Sequence, residues 1–600
     1  MKFIKTISLA GITAAAIGLG WLLFSQPLAN KIGNDIMPPM PESYVGEFSP
    51  IVIHNFGAQP KSPSGHFLAG YFAQSRGDWQ NASKHFVSLS DIETQNIDVL
   101  KRAMILSVGI GDLETASRIA KKTLDIEAAD SMALLVIAVR AIETNNLEQA
   151  LSYINQMPEG DITEFVEPLL KGWIEASLGQ ELTVTLDQST IHLYHKALIA
   201  LLQDKPDVAR QSAATILEQP SLSLFEIERV ADLHVMLGEK DKALGWYQEL
   251  LQRGDNVIIQ SKVDALEQGD EELLGSLTGL AAVDSVAKGV ALSLYDMALI
   301  LSQDHSYSIT RLFASMALAI NPDVTEARLL MANALVQAER YDEAITYLKD
   351  FDPAHPTYIP TMRHVADLLA EDERYDEAKE LLNSLFIDHN DVKALIQIGD
   401  MYRRQEEYQS ALNIYNQAVS HLGEAVPDEY WFVLYGRGMA YEREGQWEQA
   451  EADLKAALVY RPNHPYLLNY LGYGWAEQGM QLDKALELIE KAVRLKPRDG
   501  YIQDSMGWVL YRMGEFEEAV PYLETAVELL PYDPTINDHL GDAYWMVDRT
   551  VEARYQWERA KNHEEDELLL DVIGAKIKYG LDDAIERDLA EDHSLVDSAE

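Results

Sequence analysis

The chain is 600 residues long, contains no cysteine, and carries 96 acidic against 49 basic residues, a formal net charge of −47. Without cysteine there are no disulfides, thiolate metal sites, cysteine nucleophiles or lipid anchors on cysteine. The charge argues against nucleic-acid phosphates and anionic lipid headgroups as partners, since both are repelled, and leaves cationic partners open.

Lys2 and Lys5 precede an uncharged stretch from Ile7 to Phe24. Residues 1–29 read either as an export signal ending at Ala29 or as an uncleaved membrane anchor just long enough to span a bilayer. Both readings place the rest of the chain outside the cytoplasm. Residues 30–64 hold Pro38, Pro39, Pro41, Pro50, Pro60 and Pro63 without a helical period, as in an extended linker.

A 34-residue beat then sets in. Gly70, Met104, Ala138 and Gly172 keep that step, and Ala82, Ala116 and Ala150 follow the first three at a distance of twelve. After Gly172 the phase slips, for the next matching residue, Ala197, comes 25 residues later. Thr183 to Thr190 is poor in helix formers, so an irregular break is expected near 180–190 within an N-terminal array at 65–251. Residues 252–296 form a degenerate stretch diluted by Gly269, Gly275 and Gly279. Over residues 297–563 the beat returns at Ala298, Ala332, Ala366 and Gly399, and after a longer loop near 420–428 it sharpens. Gly438, Gly472, Gly507 and Gly541 are 34, 35 and 34 residues apart. Ala450, Ala485, Ala519 and Ala553 follow them, then Ala457, Ala492, Ala526 and Ala560, and Pro462, Pro497 and Pro531 close the first three units. Residues 564–600 read as a terminal helix followed by an acidic tail from Leu581.

Such a period belongs to helix–turn–helix units that bury their apolar faces only by stacking on one another. Glycine or alanine at the first small position lets two helices cross closely, alanine does the same from the second helix, and proline ends that helix. Catalytic constellations are missing: there is no HExxH, no GxSxG, no phosphate-cradling glycine loop and no metal-ligand spacing of histidines. Ser285 and Lys288 spell SxxK without its companion motifs, and Arg76-Gly77-Asp78 falls at an expected turn. No cofactor or metal is expected.

Side chains three before, one after and four after the small position of a first helix face the inner surface of such a stack. In the last units these are Asn469 and Tyr473 (with Ala476), then Asp504, Trp508 and Tyr511, then Asp538, Asp542 and Trp545. Tyr466 and Tyr501 lie three residues before the first two sets. Together they form a ladder of short polar groups flanked by aromatic faces, suited to an extended peptide main chain. The same ladder could instead bridge neighbouring helices. A clamp for a terminal carboxylate would need Lys or Arg where the aspartates stand.

The period and its small residues resemble the tetratricopeptide (TPR) repeat, which implies an all-α TPR solenoid, a right-handed superhelix of stacked antiparallel helix pairs. Within the block from about Ala298 to Ala560, YLLNYLGYGW (466–475), DGYIQDSMGWVLYRMGEFEEAVPYLETAVELLP (499–531) and DPTINDHLGDAYW (533–545) resemble exported bacterial TPR proteins common in alphaproteobacteria. A more distant resemblance, through Leu468, Asn469, Leu471, Gly472 and Tyr473 and through Asp504, Ser505, Gly507, Trp508, Leu510, Tyr511, Arg512 and Gly514, is to periplasmic TPR adaptor lipoproteins of carboxyl-terminal-processing proteases. It implies a non-enzymatic scaffold or adaptor, periplasmic or anchored to the inner membrane, whose partners are proteins or extended peptides, among them a periplasmic protease and cell-wall enzymes. The chain departs from that family in lacking a lipidated cysteine, so any membrane contact falls to Ile7–Phe24. A structural assembly factor for an envelope complex is the alternative, and an enzyme with an unrecognised site a remote one.

The joint assignment is testable at one residue. Ala519→Leu should overpack a helix crossing and cost about 1–3 kcal/mol, seen as a lowered melting temperature; a shift under about one degree would contradict it.

Overall fold

A computed structural model describes residues 62–581, except residues 161–163, 188, 255, 279–283, 304, 424 and 565. The expected signal or anchor (1–29), nearly all of the linker, and the tail after Leu581 lie outside the described residues. Among the described residues thirty α-helices and one short 3-10 turn follow each other, with no strand. The first helix, Pro63–Ser75, starts inside the segment expected as linker. Ser62 caps it by accepting from the Gly65 N–H at 3.1 Å, and Pro63 sits where no intrahelical N–H is needed.

The small-residue joints pack as the sequence requires. A Cβ on Gly472 would lie 2.7 Å from Ile489 and 3.0 Å from the Ala485 carbonyl, and one on Gly541 would lie 2.4 Å from Trp557. Second helices show the matching stripe: on Leu482–Leu495 the buried residues are Ala485, Ile489 and Ala492. Helices Trp447–Tyr460, Leu482–Leu495 and Phe516–Leu529 each end two residues before Pro462, Pro497 and Pro531.

The chain divides into two compact units, one up to Leu381 and one from Leu382. In the first, helix pairs run from Pro63–Ser75 onward to an irregular stretch at 181–187, where the buried Glu175 carboxylate accepts from the Thr183 N–H (2.8 Å) and hydroxyl (2.6 Å). The stretch expected to be degenerate holds Val257–Gln268 and Glu271–Leu277. Its two expected borders are corrected, because they fall inside the continuous helices Lys240–Arg253 and Val286–Gln303.

Inside this unit the inner faces of the early first helices are covered by the chain itself. Helix Tyr307–Ile320 packs on Ile97–Gly109 and Ser131–Glu143, and Val286–Gln303 packs on Glu167–Ser177 and Thr190–Leu202. Arg311 Nε donates to the Gly109 carbonyl (2.8 Å) and Ser315 Oγ to the Val108 carbonyl (2.6 Å). The reason lies in side-chain type. Ile105, Val108, Leu135, Val139, Ile142, Leu169 and Trp173 occupy the inward positions and all are buried. Val286–Gln303 can lie flat on Trp173 because Gly289 faces it; a Cβ there would come within 2.3 Å of the indole.

A polar pin fixes that helix. Asp296, fully buried, accepts from His195 Nε2 (2.8 Å) and from both terminal nitrogens of Arg229, one at 2.6 Å. The Trp173 indole N–H donates to His195 Nδ1 at 3.0 Å, so the proton of this imidazole sits on Nε2. Burial pushes His195 below its ordinary pKa and keeps it neutral, against the pull of Asp296. Burial alone would raise Asp296, but Arg229 and His195 hold it below the usual carboxylate range. Asp296→Ala leaves the Arg229 charge buried without its counter-ion. It should cost about 3–5 kcal/mol, read as a lowered urea midpoint.

Candidate partner-binding groove

The candidate strip lies in the second unit, on three first helices whose starts are written locally. Pro465–Glu477 is capped by His464, Gly500–Met513 by Asp499 and Pro534–Met546 by Asp533, each side chain accepting an N–H from the first turn. Pro465 and Pro534 add the fixed φ that suits a first helical position.

The lower rungs of the ladder are bonded within the stack, with one Asp538 oxygen, Oδ1, left without a hydrogen bond among the described residues. Asp504 accepts from His539 Nδ1–H of the next first helix at 3.0 Å, and both residues are buried. The His539 ring stacks on Trp508, centroids 3.9 Å apart and 13° between planes, and Trp508 stacks on Tyr511 at 4.8 Å and 6°. Asp538 and Asp542 both hold the Lys576 ammonium, at 2.7 and 2.9 Å, and Trp557 Nε1–H donates to Asp542 at 2.9 Å. Lys576 comes from the single terminal helix Glu567–Tyr579. Trp545 lies against Trp557 and the Arg554 guanidinium, and Gly580 sits so close to its ring that a Cβ would come within 2.4 Å. Asp504, Asp538 and Asp542 therefore cement neighbouring helices, and Lys576 and Gly580 cover the rung of Asp538, Asp542 and Trp545.

The upper part of the strip differs. Asn469, Tyr473 and Glu477 stand at i, i+4 and i+8 on one face of Pro465–Glu477. The Asn469 side-chain oxygen makes no hydrogen bond among the described residues. Tyr473 is bonded to Glu477, and burial first, with nearby carboxylates, pushes its hydroxyl well above the ordinary tyrosine pKa. Trp508 Nε1–H donates to the same Glu477 carboxylate, so the structure brings Tyr473 and Trp508 to one acceptor. Tyr466 is half-buried, with its hydroxyl 3.2 Å from Asp499 and 3.0 Å from Lys496 Nζ; Tyr501 and Tyr511 are half-buried at opposite ends of the next first helix.

Sequence reasoning missed Glu477, His539 and Lys576. Glu477 was legible as the third member of an i, i+4, i+8 series. The other two become visible only when residues of consecutive first helices are compared, because their partners lie 35 and 38 residues away. Two chemistry-bearing motifs resolve into structure. Ser285 Oγ accepts from the Lys288 N–H at 3.2 Å as a helix cap, while Lys288 Nζ pairs with Asp284 at 3.0 Å. Ser293, His195 and Asp296 resemble a nucleophile chain in composition, but Trp173 occupies His195 Nδ1 and Ser293 Oγ donates to the Gly289 carbonyl at 2.9 Å. Among the described residues no group of three or more His, Asp or Glu is arranged to hold a metal ion.

Models of the tetratricopeptide repeat match residues 310–370, 394–428, 431–464 and 505–566. The fold of the described residues is a TPR solenoid. A TPR repeat-containing protein of Pseudomonas aeruginosa is 27% identical over 186 residues, covering 30% of this chain and 31% of that one. The general transcriptional corepressor ssn6 of Schizosaccharomyces pombe is 28% identical over 130 residues, covering 21% of this chain and 12% of that one. The chain thus spans less than a third of the length of either relative. A crystallised TPR protein from Parabacteroides merdae shares 17% identity, covers 42% of this chain and 96% of its own, and gives a TM-score of 0.34. TPR solenoids as a class are protein-interaction scaffolds that use their concave surfaces.

The lower TPR rungs carry a pH dependence of defined sign. Burial lowers His539, but Asp504 and Asp538 outweigh it and raise the net pKa, so its contribution is complete below the ordinary histidine pKa and fades as pH rises through the folded value. Burial raises Asp533 to about 6 and raises Asp542 in the same direction, though Lys576 opposes. A carboxyl that binds its proton more tightly when folded adds stability as pH falls through about 6. The last two helix pairs should therefore gain stability from pH 8 to pH 5. Asp542→Asn should show a smaller gain, measured as melting temperature against pH for both proteins.

Proposed function

We propose that this chain is a non-enzymatic protein-binding scaffold whose working surface is the Asn469–Tyr473–Glu477 face with Trp508 and Tyr511 opposite, and that it acts as an adaptor in the cell envelope. The single observation that carries the binding reading is the contrast along the ladder. Asp504, Asp538 and Asp542 bond His539 and Lys576 of neighbouring helices, one Asp538 oxygen staying unbonded among the described residues, while the half-buried Asn469 amide, its oxygen buried and without a partner among them, shares its face with the half-buried Tyr473. The amide nitrogen of such a side chain can donate to a main-chain carbonyl of an extended segment, and the neighbouring aromatic faces can cover its apolar side chains. The inner faces of the early helices are filled, which leaves this part of the array as the better candidate. The envelope setting is supported by Lys2, Lys5 and the uncharged run Ile7–Phe24. The adaptor role, presenting envelope proteins such as cell-wall enzymes to a processing protease, is supported by the resemblance at Leu468–Tyr473 and Asp504–Gly514.

Affinity purification of the full chain from solubilised envelopes at native bait levels tests this. The expected result is capture of a protease or wall enzyme that Asn469→Ala loses while its melting temperature stays within about one degree of wild type. Capture of a stoichiometric, long-lived complex without protease would replace the adaptor role by an assembly role. Unchanged capture by Asn469→Ala would remove this face from the reading.

A further inference from the structure

The carboxylates along the inner surface of the second unit differ in how their charge is met. Asp400 pairs with Arg403 (3.3 Å) and Glu442 with Arg443 (3.4 Å); Asp504 is bonded to His539, and Asp538 and Asp542 share Lys576. Glu477 is different. Its carboxylate is held by Trp508 Nε1–H and the Tyr473 hydroxyl, both neutral donors, and among the described residues no Lys or Arg pairs with it. The Arg512 guanidinium donates to the Glu477 main-chain carbonyl at 3.0 Å, and its carbon lies 5.9 Å from the Trp508 ring centroid. Two neutral hydrogen bonds fix the carboxylate in place, and the titratable cation in its field, His539, is bonded to Asp504 instead.

The placement of that charge is a second, independent observation. Glu477 is the last residue of helix Pro465–Glu477, at the negative end of the helix dipole, although its last four carbonyls all accept hydrogen bonds: Gly474 from the Gln478 N–H, Trp475 from the Met480 N–H, Ala476 from the Gly479 N–H and Glu477 from Arg512. Arg512 already meets the helix end, so what a further cation gains there is the Glu477 side-chain carboxylate. Glu477 is exposed, so such a cation can reach it from outside. The chain as a whole is strongly anionic, at −47, and draws cations toward its surface.

We propose that the segment taken by this groove is basic: an extended stretch whose Lys or Arg side chain sits on Glu477 while its main chain meets Asn469. This deepens the reading given under Proposed function and rests on it. The geometry sets the spacing. Asn469 and Glu477 are eight residues apart on one helix, about 12 Å along the axis. An extended chain rises about 3.3 Å per residue, so the cation lies roughly four residues from the main-chain contact. An acidic or uncharged segment would leave the Glu477 charge as it is, or oppose it.

The test selects a phage-displayed library of random dodecapeptides on the full-length chain, in parallel on wild type and Glu477→Gln. Glutamine keeps an oxygen to accept from Trp508 and removes only the charge. The expected result is a wild-type pool enriched in Lys and Arg over the input, and no such enrichment on Glu477→Gln at unchanged melting temperature. A synthetic peptide from the wild-type pool should bind about threefold or more weakly when its basic residue becomes Gln, with no further loss on Glu477→Gln. Enriched peptides without a basic excess, or an equal basic excess on Glu477→Gln, would overturn the proposal and leave the groove reading standing. No enrichment of any peptide would overturn the groove reading and this proposal with it.

Discussion

Everything in this molecule depends on how closely two helices can cross. At Gly472, Gly507 and Gly541 the facing helix comes so near that a single added carbon would sit 2.4–2.7 Å from Ile489, Leu523 or Trp557. That approach sets the tilt of each pair, and the tilt sets which side chains of successive first helices meet. The groove is a consequence of the joints: Trp508 can reach Glu477, and His539 can reach Asp504, only because the pairs are stacked at this spacing.

The two units put the same repeat to different uses, and side-chain polarity decides which. Where the inward positions are Leu135, Val139, Ile142 and Leu169, water is excluded by folding the chain back over them, and the faces become core. Where they are Asn469, Tyr473 and Trp508, hydrogen-bonding groups can stay half-buried at a surface. Charge takes over as cement where small-residue joints are weak. Lys262, almost fully buried, sits among Asp232 and Glu228 in the stretch the repeat pattern blurs, and Tyr247 donates its hydroxyl to the same Asp232.

Much of this was legible in the sequence because a fixed period converts position into geometry. The small residues marked the joints, the prolines marked the ends of second helices, and projecting three before, one after and four after the joint put Asn469, Tyr473 and Trp508 on connected faces. The same projection applied to Met104, Ala138 and Gly172 returns only apolar residues apart from Lys101, which is the signal for a filled interior; it was present but unread. The Asp504–His539 and Asp538–Lys576 pairs needed the register between consecutive helices. His195 and Asp296 each stand two residues before a small position of the beat, Ala197 and Ala298, but their bond joins residues 101 apart in helices that are not consecutive pairs, so stacking of neighbours alone did not announce it.

The contact between Arg311 and the Gly109 carbonyl bridges 202 residues. In a linear stack each pair knows only its neighbours, and order can spread or retreat one pair at a time. A bridge of that span makes the first unit complete only when its distant parts have found each other, so a large loop must close before the closing contact repays it. The unit up to Leu381 is thus built to form late and melt as one body, while the pairs that carry the groove can loosen singly from the Lys576 end. One chain holds a cooperative globule and a graded array made from the same motif.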